Sequence, residues 1–277
     1  MRLCVLSSGS SGNCLWAEAG GARVLVDAGL SARETARRCE SAALRLSDLT
    51  AILLTHEHAD HSGGAGVLAR KLGIPVYATR GTLAALRDSP PDELLRIVEP
   101  GRPLRLGESL WATPIRGAHD SAELVVYSLE ERCPDGALAR AAVITDVGHA
   151  PPAFCEALAG HDALILEMNH DVKRLLEGPY PWSLKQRVRS PLGHLSNAQG
   201  AALLASTLHA GLRHVVLAHL SAENNTPDLA LRAAAAVLEQ AGSRARLQVA
   251  SQAEPGEVME LSPARRAAPR ARQLALF

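Results

Sequence analysis

Thr55-His56-Glu57-His58-Ala59-Asp60-His61 decides the reading of this 277-residue chain, because no other seven residues gather so many metal-binding groups. A strand-like apolar run, Ala51-Ile52-Leu53-Leu54-Thr55, leads into it. Ser62-Gly63-Gly64 follows, and helical periodicity resumes from Ala65 to Leu72. The cluster is therefore expected on a strand-to-helix loop. There His56 and His58 can face one cation while Asp60 and His61 face a second, since neutral imidazoles and a carboxylate suit borderline divalent ions. The spacing predicts a dinuclear metal site.

Around that stretch the chain has material for a large core. Hydrophobic residues make up 47% of it but aromatic residues only 3%, so aliphatic side chains must fill the interior. Acidic and basic residues balance at 29 each, so no global field advertises a polyanionic partner. The balance is uneven, however: residues 262–277 hold four arginines and no acid. Cys4, Cys14, Cys39, Cys133 and Cys155 are scattered, odd in number and without a C-x-x-C spacing, which suits reduced thiols. With no signal-like apolar segment and no run of 18 apolar residues, a soluble, cytoplasmic protein without a membrane partner is expected.

Working outward, Arg2–Leu6 reads as a strand followed by Ser7-Ser8-Gly9-Ser10-Ser11-Gly12-Asn13, a loop that is either a phosphate cradle or a tight turn. Cys14–Ala19 and Arg23–Asp27 read as a hairpin joined at Gly20-Gly21, and Ser31 with Glu34 as a capping box opening a helix to about Ala43. Ile74–Ala78 reads as a strand, Arg80–Asp88 as a helix, and residues 97–131 as strands interrupted by a loop carrying His119. Two further strands end on chemistry: Ala141–Thr145 on Asp146, and Ala163–Glu167 on Glu167, Asn169 and His170. A basic, proline-broken segment follows with Lys173, Arg174, Lys185, Arg187 and Arg189. Ser196 or Asn197 caps a helix to about His209, Val215–Ala218 is a strand ending on His219, and Thr226-Pro227 leads into a helix from Asp228 to Gln240 with proline at an allowed first-turn position. Ala245–Val249 is the last expected strand, with a flexible tail from Ser262.

The series His-x-His-x-Asp-His, loop His, strand-end Asp, strand-end His resembles the metallo-β-lactamase superfamily over most of residues 1–250. The resemblance implies an α/β fold, a four-layer αββα sandwich spanning 1–261, with 262–277 as an appended basic tail. It further implies that His56, His58 and His119 hold one metal, that Asp60, His61 and His219 hold a second, and that Asp146 bridges them. Within the superfamily the chain is similar to the YycJ/WalJ type in Gly9-Ser10-Ser11-Gly12-Asn13, Asp27-Ala28-Gly29, Glu167-Met168-Asn169-His170-Asp171, Gly193-His194-Leu195-Ser196-Asn197 and Ala218-His219-Leu220-Ser221. That similarity implies a 5′-to-3′ DNA exonuclease of mismatch-repair-like DNA repair. The interval from Asp146 to His219 is too short for an added nucleic-acid-clamping domain.

Phosphodiester hydrolysis is the reaction a carboxylate-bridged pair of cations suits. Asp60 or Asp146 can orient the attacking oxygen, and either His194 or His170 can protonate the leaving group. Glu167 is expected to orient a ligand histidine. Ser10, Ser11, Asn13, Lys185, Arg187 and Arg189 are the candidate phosphate or DNA contacts. Two divalent ions, Zn²⁺ or Mn²⁺, satisfy the donor set. The C-terminal Gln273-Leu274-Ala275-Leu276-Phe277 resembles the Q-L-x-L-F peptide that docks on the DNA polymerase sliding clamp, with Gln273, Leu274, Leu276 and Phe277 as matching positions. The rival readings are an RNA-processing nuclease and a small-molecule thioesterase or cyclic-phosphate hydrolase on the same ligand set. Oligomeric state is left open.

Overall fold

The structure, a computed structural model, describes residues 1–265. The residues of the clamp-like peptide, Gln273, Leu274, Leu276 and Phe277, lie outside the described residues. The N-terminal half runs β1 (Arg2–Ser7), β2 (Cys14–Ala19), β3 (Ala22–Val26), α1 (Ala32–Ser41), β4 (Ala51–Leu53), α2 (Ala59–Ser62), α3 (Ala65–Leu72), β5 (Val76–Ala78), α4 (Arg80–Ala85) and β6 (Leu95–Ile97). The second half continues with β7 (Leu104–Arg105), β8 (Leu110–Arg116), β9 (Val125–Arg132), β10 (Leu138–Ile144), α5 (Pro152–Ala157), β11 (Ala163–Glu167), α6 (Val172–Glu177), α7 (Trp182–Arg189), α8 (Asn197–Thr207), β12 (His214–Ala218), α9 (Pro227–Gln240), β13 (Arg246–Val249) and β14 (Met259–Glu260).

Two seven-stranded sheets result, ordered β14-β1-β2-β3-β4-β5-β6 and β13-β12-β11-β10-β9-β8-β7. Each changes character halfway. In the first, β1 to β3 pair antiparallel and β3 to β6 parallel; in the second, β7 to β10 pair antiparallel and β10 to β13 parallel. The parallel strands β4 and β11 are buried along their whole length, whereas β8 alternates buried and half-buried residues as an outer antiparallel strand does. Val24, Leu53, Tyr127, Val143 and Ile165 belong to the core between the sheets. Leu25, Ile52 and Leu68 pack the first sheet against α1 and α3, and Leu166, Leu204 and Leu238 pack the second against α8 and α9. That is the expected four-layer αββα sandwich, filled by aliphatic side chains.

Several boundaries differ from the sequence reading for identifiable reasons. Ser31 caps α1 by accepting from Glu34 N at 3.2 Å, but Glu34 does not return the bond as a capping box would: its carboxylate takes Arg37 and Arg38 instead. The full reciprocal box occurs at α8, between Ser196 and Gln199. Helix α4 stops at Ala85 because Leu86 is extended and Asp88 turns to pair with Arg70 at 2.8 Å. The proline-broken basic segment contains two short helices: Asp171 caps α6, and Pro181 precedes α7. At the expected tail boundary, Arg213 donates to Ser262 O and Ala264 bridges to Leu138.

Candidate metal centre

Strand termini from both sheets converge on one edge. From the first sheet, Asp27 follows β3, Thr55 to His58 follow β4, and α2 carries Asp60 and His61 on a short helix rather than on the expected loop. From the second, His119 lies in the β8–β9 connection, Asp146 follows β10, Glu167 ends β11 and His219 follows β12. His194 joins them from the α7–α8 loop. Asp27, Asp146 and His219 all leave their strands in the left-handed region, at φ 62°, 59° and 55°. Such backbone costs an ordinary residue of order 1 kcal/mol or more and is held only where neighbours enforce it. All three turn their side chains into the same cluster.

The structure brings the seven expected ligand residues together. His56, His58 and His119 form one group with ring centroids 4.6 to 5.2 Å apart. Asp60, His61 and His219 form another, with Asp60 Oδ2 3.5 Å from His61 Nε2 and 3.6 Å from His219 Nε2. Asp146 stands between: Oδ2 lies 2.7 Å from His61 Nε2, while Oδ1 lies 3.8 Å from His119 Nε2 and 3.4 Å from His219 Nδ1. His56 Nε2 and His219 Nε2 are buried without a hydrogen-bond partner. Leaving such nitrogens unmade costs roughly 1–3 kcal/mol apiece, so their convergence on a histidine and carboxylate cluster fits divalent cations of the Zn²⁺ or Mn²⁺ kind.

The surrounding bonds select the tautomers that a metal needs. Thr55 Oγ1 lies 3.0 Å from His56 Nδ1 and hands its own hydrogen to Asp27, whose Oδ2 also sits 2.7 Å from His61 Nδ1. One carboxylate thus orients two imidazoles and keeps their Nε2 atoms directed inward. Glu167 does the same across the site, with Oε1 3.3 Å from His219 Nδ1 and 2.8 Å from His194 Nδ1. His119 Nδ1 donates to Gly193 O at 3.0 Å. Gly29 is demanded by contact: a Cβ there would meet Asp60 O at 1.8 Å. A Cβ on Gly148 would meet Pro191 O at 2.1 Å, so the strand-end Asp146-Val147-Gly148 also needs its glycine to admit the loop that brings His194.

Charge follows the geometry. Burial, reinforced by neighbouring His61, holds His56 well below the usual imidazole range, keeping it in its neutral form. Burial alone would depress His61 and His219 too, but Asp146 and Asp27 raise His61 well above that range, and Asp146, Asp60 and Glu167 push His219 up to about 10. Burial works against ionising Asp146, yet His219 and His61 keep its carboxyl well below the ordinary value. Without a metal, these contacts are ion pairs that share protons where a cation would sit.

The remaining candidates divide. His194 enters the cluster with its side chain 19% exposed, whereas His170 is 1% exposed, lies outside the ligand groups and has its pKa lowered to about 4 by burial. Ser10 and Ser11 are exposed, and Arg187 and Arg189 point to solvent from α7. Arg187 pairs with Asp120, and half-buried Lys185 donates from Nζ to Leu176 O at 2.7 Å. Asn13 differs from Ser10 and Ser11 in being buried against the metal-facing side of the cluster. It is 4% exposed, and its amide is consumed by Gly9 and by a 2.9 Å approach to His61 Nε2. Three further residues escape the sequence reading. Asp27 is signalled only by its place before Ala28-Gly29, as Asp146 is by Val147-Gly148; Asp120, with Oδ1 3.2 Å from His119 Nε2, and Trp182, 60% exposed, carry no such signal.

A family profile described as "Beta-lactamase superfamily domain" matches residues 22–220. The chain is 37% identical over 246 residues to the exodeoxyribonuclease YycJ of Bacillus anthracis, covering 87% of this chain and 90% of that one. It is 36% identical over 234 residues to the exodeoxyribonuclease WalJ of Streptococcus pneumoniae, covering 83% and 85%. Among solved structures it superposes on the metallo-β-lactamase fold protein YhfI of Bacillus subtilis with a TM-score of 0.67 at 16% identity, covering 92% and 98% of the two chains. The Zn²⁺-bound PqqB of Methylobacterium extorquens gives a TM-score of 0.69 at 20% identity, covering 94% and 100%. With a matching profile over most of its length and relatives above one-third identity, the chain belongs to the metallo-β-lactamase superfamily of metal-dependent hydrolases.

Proposed function

We propose that this protein is a 5′-to-3′ DNA exonuclease that uses two divalent ions, Zn²⁺ or Mn²⁺, held by His56, His58, Asp60, His61, His119, Asp146 and His219. The observation that carries the reading is the 37% identity, across nearly the full length of both chains, to a protein named as an exodeoxyribonuclease. When bound, such ions acidify water and neutralise charge on the attacked phosphate. The chain's own groups supply the rest. Asp60, 26% exposed, is placed to accept a hydrogen bond from the attacking water and so orient it. Glu167 fixes His194 through Nδ1, leaving Nε2 to give a proton to the departing 3′ oxygen. His170, buried and neutral at ordinary pH, is the weaker candidate. Exposed Lys173, Arg174, Arg187 and Arg189 on α6 and α7, with Trp182 among them, form a surface suited to phosphates and an unstacked base.

Repair at replicating DNA is the context this reading favours. Leu276 and Phe277 would fill an apolar pocket of the sliding clamp while Gln273 fixes register, and the tether would raise the local concentration of the nuclease. A time course on end-labelled duplex and single-stranded DNA, with Mn²⁺ or Zn²⁺ returned to metal-stripped protein, should release mononucleotides from the 5′ end. Inactivity on DNA beside turnover of RNA, a thioester or a cyclic nucleotide would replace the reading with one of its rivals. Deleting residues 273–277 should abolish binding to purified clamp and leave oligonucleotide hydrolysis unchanged.

A further inference from the structure

Beside His194 the structure contains a cavity of about 160 Å³ that the seven ligand residues do not line. Its lining divides by chemistry into an aromatic and aliphatic part, Tyr180, Leu184 and Val188, and a polar part in which Ser10, Arg187 and His194 stand with the Asp120 carboxylate and neutral amide and hydroxyl groups. Leu184, Arg187 and Val188 are spaced three and four apart on α7, so one face of that helix supplies both characters. The cavity is joined to the proposed proton donor by backbone, since His194 N donates to Val188 O at 2.9 Å. Arg187 is 58% exposed and held by a single carboxylate, Asp120, so its guanidinium can be shared with an incoming anion.

Size narrows the ligand. Sites for drug-sized molecules run from roughly 300 to 1,000 Å³, so this space takes one ring system and its immediate substituents. An apolar ring-stacking part next to a guanidinium and a hydroxyl matches a nucleoside carrying a phosphate. Building on the nuclease reading, we propose that this cavity is the terminal-nucleotide pocket. It receives one ring of the last nucleotide of a strand, the base or the sugar, against Tyr180 and Leu184, with the end phosphate outside the enclosed space at Arg187 and Ser10. By holding a terminal unit, the pocket would direct hydrolysis to strand ends.

The test compares three ligands on metal-loaded protein: linear 5′-phosphorylated DNA, bis(p-nitrophenyl) phosphate, which has no nucleoside, and deoxyadenosine 5′-monophosphate. Leu184→Trp, which fills the cavity, should lower the ratio of DNA to ester turnover by roughly tenfold or more. Tyr180→Ala should weaken calorimetric binding of the nucleotide by roughly tenfold, the loss of one stacked base, and Tyr180→Phe should restore it. A native protein that degrades DNA while both variants keep the native ratio and affinity would overturn the pocket alone. A native protein that hydrolyses the ester but not DNA would overturn the nuclease reading, and the pocket with it.

Discussion

His56–His61 and Val172–Arg189 flank the same site but are built in opposite ways. His56 and His61 are completely buried, and each imidazole has its outer nitrogen tied through Thr55 or directly to Asp27. The second segment is anchored mainly by Leu175 and Val188, and it leaves Trp182, Lys173, Arg174, Arg187 and Arg189 exposed. Buried imidazoles tied at their outer nitrogens hold one geometry, whereas exposed long side chains adapt to what they meet. The first construction fixes a geometry; the second leaves its side chains free to adjust.

The sharpest way to break this contrast is to cut the buried side. Asp146→Ala should reduce hydrolysis to background and remove metal by elemental analysis while the far-ultraviolet dichroism stays folded; retained metal with full turnover would refute the centre. Next in size, His194→Ala should slow turnover by roughly 10²- to 10⁴-fold with metal kept, and less on an ester with a good leaving group. An equal loss on both substrates would make His194 a structural or phosphate-binding residue.

Asp27→Asn sharpens the comparison, because it touches the network without touching a ligand nitrogen that faces the site. Metal affinity should fall by roughly 10- to 100-fold. The pH sign follows from the metal-free protein: His61 is raised above, and His219 raised to about 10 from, an ordinary value of 6.5, so both carry protons at neutral pH. A metal must displace them, so affinity should rise with pH toward about 10, and loading near neutrality should release protons to an indicator dye. Metal uptake without proton release would contradict the assignment. The smallest effect belongs to the exposed side: Arg189→Ala should weaken DNA binding a few-fold at low salt and reduce the salt slope by about one, with turnover at saturating DNA unchanged. A full loss of activity there would erase the distinction between the two segments.

What the sequence disclosed tracks the same division. The His56–His61 cluster stood out by its spacing, whereas joining His119, Asp146 and His219 to it rested on the resemblance to the superfamily; the structure has all of them at strand ends along one edge. β2, α3 and β11 had sharp sequence limits because apolar pattern and glycine or capping signals coincided at their ends. Asp27's role was not readable, since a carboxylate that bonds Thr55 and His61 from a neighbouring strand is a tertiary fact without local spacing. The inward bonding of Asn13 was hidden for the same reason, since the partner of its amide lies far along the chain. α6 and α7 were hidden by Pro179 and Pro181, which end one short helix and start the next instead of excluding both.

His56, His58, Asp60 and His61 come from the half of the chain that forms one sheet, and His119, Asp146 and His219 from the half that forms the other. A cation held between them is therefore a cross-link. A ligand that binds only the folded chain adds about 4 kcal/mol to unfolding when present at a thousand times its Kd. Here that energy bears on the seam between the two sheets, beyond what Val24, Tyr127 and Val143 contribute by packing. Chelation should thus lower the melting temperature and broaden the transition as the halves lose a shared constraint, so that cooperativity itself becomes a readout of metal occupancy.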